Sequence, residues 1–173
     1  MANIQINKIS NANVYVDGVG HLGKAEEVDL PKITHKMVEH KALGMVGTFQ
    51  LPTGIEPMEA RIKWNSLYAD ILKKVANPFK AINIQIRSSQ EVFTSAGRTS
   101  EVPVVCYMTA TPKDFDPGKF KQHDLIETEN MYNVTYLKLT IDGQEIVEFD
   151  AIANIYKADG VDLLANYRTN IGG

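Results

Sequence analysis

Strict alternation of apolar and charged residues is the feature that most limits what this chain can fold into. From position 58, Met58, Ala60, Ile62 and Trp64 share one face while Glu59, Arg61 and Lys63 share the other. A period of two suits an extended strand buried on one side, and no helix keeps it. The pattern returns where Ile82, Ile84 and Ile86 oppose Asn83, Gln85 and Arg87. Val14 and Val16 run into Asp17-Gly18, and Leu137, Leu139 and Ile141 run into Asp142-Gly143, with Ile146 to Asp150 following. Asp-Gly tolerates the positive φ angles that a two-residue hairpin demands, so both sites are predicted hairpins, the second the stronger. Val28 to His40 also reads as a strand, with its phase broken at Pro31, which has no N–H to give to a ladder.

One segment departs from period two. Leu67, Tyr68, Ile71, Leu72 and Val75 form a single apolar stripe at helical spacing, predicting an amphipathic helix over about Ser66 to Val75. Asn65 or Ser66 is its expected cap, Lys73 and Lys74 suit the dipole of its last turn, and Asn77-Pro78 ends it. A short second helix is expected over Val161 to Arg168, capped by Asp159. One helix covers one sheet face only, so the fold class is mainly β, a sandwich or barrel flanked by a helix. The 173 residues suit one domain spanning 1–173.

Charge and leader content narrow the role. A net charge of −3 does not supply the basic face that nucleic-acid wrapping needs. The opening Met1-Ala2-Asn3-Ile4-Gln5 lacks the basic and apolar regions of a signal peptide, and no apolar run approaches the ~20 residues of a membrane span. Synthesis in a cytoplasm without a membrane anchor is therefore expected. Cys106, the single cysteine, sits within Val104-Val105-Cys106-Tyr107-Met108 and reads as a small buried hydrophobe.

Chemistry is not indicated. Gly18-Val-Gly20-His-Leu-Gly23 matches a dinucleotide fingerprint, but a turn signal precedes it and no helix follows to meet a pyrophosphate, so a hairpin loop is expected. His35 and Glu39 are separated by three residues, which fits no zinc helix motif, and His35 and His40 fall on opposite faces of a strand. His21 and His123 lack partners at ligand spacing. Asp114-Phe-Asp116-Pro-Gly118 reads as a turn, because the twelfth position of a calcium loop would be Leu125. No nucleophile elbow or P-loop occurs, and Glu127, Glu129, Glu148 and Asp150 are scattered along strands. No catalytic, metal or cofactor residue is assigned, and the expectation is a protein that is not an enzyme and needs no cofactor.

The segment from Lys41 to Pro57 fits neither period. It carries Gly44, Gly47, Gly54, Pro52 and Pro57, yet also Leu43, Met45, Val46, Phe49, Leu51 and Ile55. Long irregular connections are uncommon in compact domains and are often functional. Two readings stand: Met45 to Leu51 as a short irregular strand tucked on its own core, or the segment as a contact arm toward a neighbouring subunit.

An ordered series of short pieces then carries a resemblance. It begins at Leu30-Pro31-Lys32-Ile33, passes Gly44-Met45 and Met58-Glu59-Ala60, and is densest at the C-terminal end. There it comprises Leu137-Lys138-Leu139, Asp142-Gly143-Gln144-Glu145, Glu148, Asp150, Asn154, Gly160-Val161-Asp162, Leu164, Arg168 and Ile171-Gly172. Together these resemble the major tail tube proteins of contractile-tailed phages and R-type pyocins (phage-tail-like bacteriocins), over nearly the whole chain. The match is weakest over Lys80 to Lys121.

The resemblance implies a β-barrel-like subunit with a flanking helix whose hexameric rings stack into a hollow tube inside a contractile sheath. Such a tube penetrates a bacterial envelope and conducts DNA or ions, so DNA would be non-specific cargo. It implies further partners: sheath, baseplate hub, tape measure and tail terminator proteins. It places the protein in a virion tail or bacteriocin particle assembled in the host cytoplasm. Residues 41–57 would be the inter-ring loop, with axial contacts through Leu43, Met45, Phe49, Leu51 and Ile55, while Leu67, Ile71, Leu72 and Val75 would pack the helix. A lumen that passes DNA should be acidic or neutral, and either Glu59-Arg61-Lys63 or Glu148-Asp150 offers a polar strand face. The nearest alternative is a type VI secretion tube protein; one from another class is a small β-barrel ligand-binding protein. Gel filtration separates the classes: elution as rings or tubes is expected, whereas a sharp monomer would favour the ligand-binding reading.

Overall fold

The computed structural model describes residues 4–173; Met1-Ala2-Asn3, the first part of the stretch read as leaderless, lies outside them. In chain order the elements begin with β1 (Ile6–Val16), β2 (Val19–Gly20), β3 (Ala25–Asp29), β4 (His35–His40), β5 (Phe49–Ile55), β6 (Met58–Trp64) and α1 (Ala69–Val75). There follow β7 (Ile82–Thr94), β8 (Gly97–Pro112), β9 (Thr128–Ile141), β10 (Gln144–Asp150), β11 (Ile155–Ala158), β12 (Val161–Asp162) and α2 (Ala165–Asn170). The protein is mainly β.

The alternation at 58–64 is realised in β6, where Met58, Ala60, Ile62 and Trp64 are buried and the charged residues between them are not. A sheet runs in the order β12-β11-β10-β9-β8-β7-β1-β2, and β6 joins it through β9, carrying β3 on its outer side. The strand β9 makes the branch possible. Its first half pairs with β6, from Trp64 opposite Thr128 to Met58 opposite Val134, and its second half pairs with β10. Between the halves the β8–β9 register shifts beside Thr109/Ala110, the kind of irregularity that lets a strand turn a corner and serve two layers. Val14, Ile84, Ile86, Cys106 and Met108 from one layer thus meet Met58, Ala60, Ile62 and Trp64 from the other, and Ile71 and Val75 of α1 join the same core.

Hairpin chemistry is as the Asp-Gly pairs demand. Asp17 and Gly18 take φ of 49° and 80°, and Asp142 and Gly143 take 52° and 75°, both residues of each pair in the left-handed region of a two-residue turn. Asp159-Gly160 does the same at 50° and 74° between β11 and β12.

Several sequence expectations need correction. The helix starts at Ala69, not Ser66, and no side chain caps it: Asn65 is instead spent bonding the Gly23 carbonyl at 2.7 Å and accepting the Tyr68 hydroxyl. Leu67 therefore precedes the helix and is half-buried, as is Leu72 within it. The C-terminal helix begins at Ala165, because Asp159 forms the turn before β12 instead of capping a helix at Val161. Val28 to His40 is two strands, β3 and β4, that belong to different sheets, with the buried Pro31 in the connection between them.

The two ends of the domain differ in what they display. At one end lie the β7–β8 turn beyond Thr94/Gly97 and the β9–β10 turn at Asp142-Gly143. Because β6 runs antiparallel to β9, its Met58 end points the same way, and so does the Asp29 end of β3. The excursion from Leu30 to Pro57 leaves toward this end. At the other end lie the β1–β2 turn, the entry to α1 after Trp64, the β7 start at Ile82 and the long β8–β9 connection after Pro112.

His21 closes that second end and was not singled out by its sequence pattern as a core residue. It is 3% exposed, its ring meets Trp64 edge-on at 5.8 Å, and its Nδ1 stands 3.7 Å from Asp70 Oδ2. Burial lowers its pKa below the ordinary 6.5; Asp70 opposes this, while Lys24 and Lys74 reinforce it. The unfolded chain therefore takes up this proton before the folded one does. Stability should fall as pH drops through 6.5 toward the folded-state pKa, and be fully present above 6.5. Urea melts between pH 7.5 and 5 should show this slope, and His21→Gln should remove its own share of it. Identical slopes in the two proteins would contradict the assignment.

Candidate assembly surfaces

The segment from Lys41 to Pro57 is not irregular throughout as its composition suggests: Phe49–Ile55 is a strand. Strands β4 and β5 pair over six positions, from His35 opposite Ile55 to His40 opposite Phe49, as a separate two-stranded ribbon. Pro52 and Gly54 are tolerated because this ribbon has two free edges, and the extra residue, Thr53, bulges with its hydroxyl on the Lys36 carbonyl. All of β4 is exposed, and all of β5 except Ile55. The reading of Met45 to Leu51 as a strand tucked on the core is thus overturned: β5 begins at Phe49, carries a bulge at Thr53, and is exposed except at Ile55.

Its base is anchored. Glu56 N–H donates to the Thr34 carbonyl at 2.8 Å, Ile55 packs on the core, and His35 lies against Tyr156 of β11 with ring centroids 5.8 Å apart. Beyond the base the ribbon's register puts Val38, Leu51, His40 and Phe49 on one face, where the rings of His40 and Phe49 meet at 5.2 Å. Leu43 and Val46 at the tip are fully exposed, at 105% and 108%, and Met37, Met45, Phe49 and Leu51 are exposed as well. Gly44, with φ of 85°, makes the turn between them. Folding leaves Leu43 and Val46 wholly in water and close to half of Met37, Met45, Phe49 and Leu51, apolar surface that a partner would cover.

Several of the residues that carried the resemblance at the C-terminal end fix turns and the last helix, while Leu137 to Leu139, Gln144, Glu145 and Glu148 lie in β9 and β10. Asp150 Oδ1 accepts the N–H groups of Ile152 and Ala153, both at 2.9 Å. Asp162 accepts the Leu164 N–H at 3.0 Å and pairs with Arg168, whose guanidinium also donates to the Asn154 carbonyl at 2.9 Å. The Arg168 hydrogen bond is the main reason that the Asp162 carboxyl is held below its usual range. This set fastens α2 to the β11–β12 hairpin and thereby shapes the sheet edge beyond β10.

Two polar faces differ in kind. The β6 face is ionic: Arg61 reaches Asp29, Glu129 and Glu27, Lys63 reaches Glu127 at 2.9 Å and Glu26 at 3.1 Å, and Lys113 pairs with Glu59. It belongs to the β3–β6 branch. The outward face of the main sheet is milder. Gln85 donates to the Tyr107 hydroxyl at 2.7 Å, Thr109 donates to Asn83 at 3.1 Å, and Tyr136 donates to Glu148 at 2.9 Å. Its lysines are paired, Lys138 with Glu145 at 2.8 Å and Lys157 with Glu148 at 2.7 Å.

Elsewhere the chemistry is quiet. Cys106 is buried, which pushes its thiol up to about 12 and leaves it protonated. Among the described residues no three His, Cys, Asp or Glu side chains gather as a metal site, and no helix is long and apolar enough to cross a membrane. Gly18 to Gly23 forms the β1–β2 hairpin and the turn after it, with no helix to receive a phosphate.

Comparison with known proteins matches this architecture. The family model described as phage tail tube protein FII matches residues 6–172. A tail tube protein of Escherichia phage P2 is 33% identical, over 95% of this chain and 96% of the relative. A major tail tube protein of Serratia phage KSP20 is 30% identical, over 90% of each. Among solved structures, a chain of the sheath–tube complex of the extracellular contractile injection system PVC, in its extended state, superposes with a TM-score of 0.56. It shares 14% identity and covers 75% of this chain and 87% of that one, a likeness of fold. The chain, mainly β with an anchored apolar arm, belongs to the phage tail tube protein FII family.

Proposed function

We infer that this protein is the structural subunit of the inner tail tube of a contractile injection machine, acting by assembly and not by catalysis. The observation that carries the reading is the match of the tail tube family over residues 6–172. The uncovered arm, which only another molecule can bury, supports it.

In this reading six copies close a ring and rings stack into a hollow tube. Both ends of the main sheet are open: β1 is paired on its outer side only through Tyr15 and Val16, and β12 is two residues long. Joining such edges between neighbours would complete their backbone hydrogen bonds and remove the risk that free edges carry. A ring built along the main sheet would turn one continuous sheet face inward. The outward face of β7 to β10 is the better lumen candidate, because Lys138 and Lys157 are already paired with glutamates there, leaving Arg87 as the exposed cation on that face available to phosphate. The ionic β6 face lies on the branch and would then be outside. A surrounding sheath, a baseplate hub, a tape measure and a tail terminator are the partners such a tube requires, with DNA or ions passing through.

The arm, including Leu43, Met45, Phe49, Leu51 and Ile55, would supply axial contacts between rings. Deleting Gly44 to Gly54, or making Leu43→Asp with Val46→Asp, should abolish long tubes seen by electron microscopy. The point variants should change subunit stability by no more than about 0.5 kcal/mol, since both side chains are already in water. Unchanged tube length in either variant would contradict the arm's role.

A further inference from the structure

The arm needs a receiving surface, and the end of the domain opposite to the arm's root carries exposed apolar side chains. Phe79 is 96% exposed there and Leu22 is 77% exposed, with Val19 exposed beside the β1–β2 turn. The backbone that carries them is fixed. Phe79 follows Asn77-Pro78, whose proline fixes the backbone, and its N–H donates to Asn77 Oδ1 at 3.1 Å.

The segment is tied to the β1–β2 turn by one carboxylate. Asp17 accepts the Asn83 N–H at 3.0 Å and pairs with Lys74, and its own N–H donates to the Asn83 carbonyl at 2.7 Å. Burial raises the Asp17 pKa, but the bonds from Lys74 and Asn83 outweigh it and leave it lowered, so the tie holds at neutral pH. Leu22 stands on the turn after buried His21, which Asn65 clamps through the Gly23 carbonyl. An exposed aromatic ring on a fixed backbone turn has only two side-chain torsions to order on docking, which makes it an efficient anchor.

We propose that the arm tip of one subunit, Leu43 to Val46, docks on the Phe79–Leu22 surface of a subunit in the next ring. The occupant is a second copy of this chain, and the proposal rests on the reading of the arm as the axial contact. Two dissimilar surfaces at opposite ends of one subunit form a heterologous contact, which repeats without closing and so propagates a stack. Two identical arms meeting each other would pair rings and then stop. Placement of the two apolar surfaces at opposite ends therefore selects head-to-tail growth, which a tube of many rings requires.

Disulfide trapping tests this directly. The full chain with Val46→Cys and Phe79→Cys, assembled into tubes and oxidised with diamide, should give a ladder of covalent oligomers on a denaturing gel. Each single variant should give none beyond a dimer, and buried Cys106 should not contribute. Val46→Cys with Leu22→Cys is the second pair. Phe79→Asp should abolish tube growth in a folded subunit, whereas Phe79→Leu should permit it. Tubes that form normally from Phe79→Asp, or that give no ladder with either cysteine pair, would overturn the docking site while leaving the arm's axial role intact. Tubes unaffected by Leu43→Asp with Val46→Asp would overturn the arm reading itself.

Discussion

Everything in this fold hangs on β9. Its first half closes a layer with β6 and β3, its second half continues a different layer into β10, and β8 runs along both. Residues as distant as Val14, Trp64, Val75 and Phe149 share one core because that strand changes partners midway. The shift near Thr109/Ala110 is the local cost of the arrangement. A strand without it would present one face to one layer only.

The branch has a consequence for assembly. It leaves the main sheet open at both edges and sends the β3–β6 connection out of the domain as a ribbon with no core of its own. A monomer gains nothing from either feature. Open edges invite pairing, and an apolar ribbon in water is costly unless something covers it. Closed rings that stack would satisfy the edges and the ribbon together, which is why the family assignment and the geometry support each other.

Much of this was legible in the residues. Alternation in 58–64 and 82–86 gave strands, Asp-Gly gave turns, and the stripe through Ile71 and Val75 gave the helix. What was hidden had physical causes. Pro52, Gly54 and the bulge at Thr53 broke the alternation of β5, so a paired but bulged strand passed for a loop. Asn65 looked like a helix cap but is committed to the Gly23 carbonyl, a contact that local sequence does not encode. Asp159 precedes Gly160 and so had two possible uses; the turn won, delaying the last helix. His21 gave no signal at all, since its burial comes from Trp64 and α1, both far along the chain. The exposed ribbon was visible as an excess of apolar residues, while the Phe79 turn became meaningful only once the two ends of the domain were known.

Electron microscopy of the purified full-length protein, at high concentration and low salt and with baseplate seeds available, tests the central claim most directly. Hollow tubes of stacked six-fold rings are the result that a tail tube subunit with an axial arm predicts. Compact monomers alone, with seeds present, would contradict it.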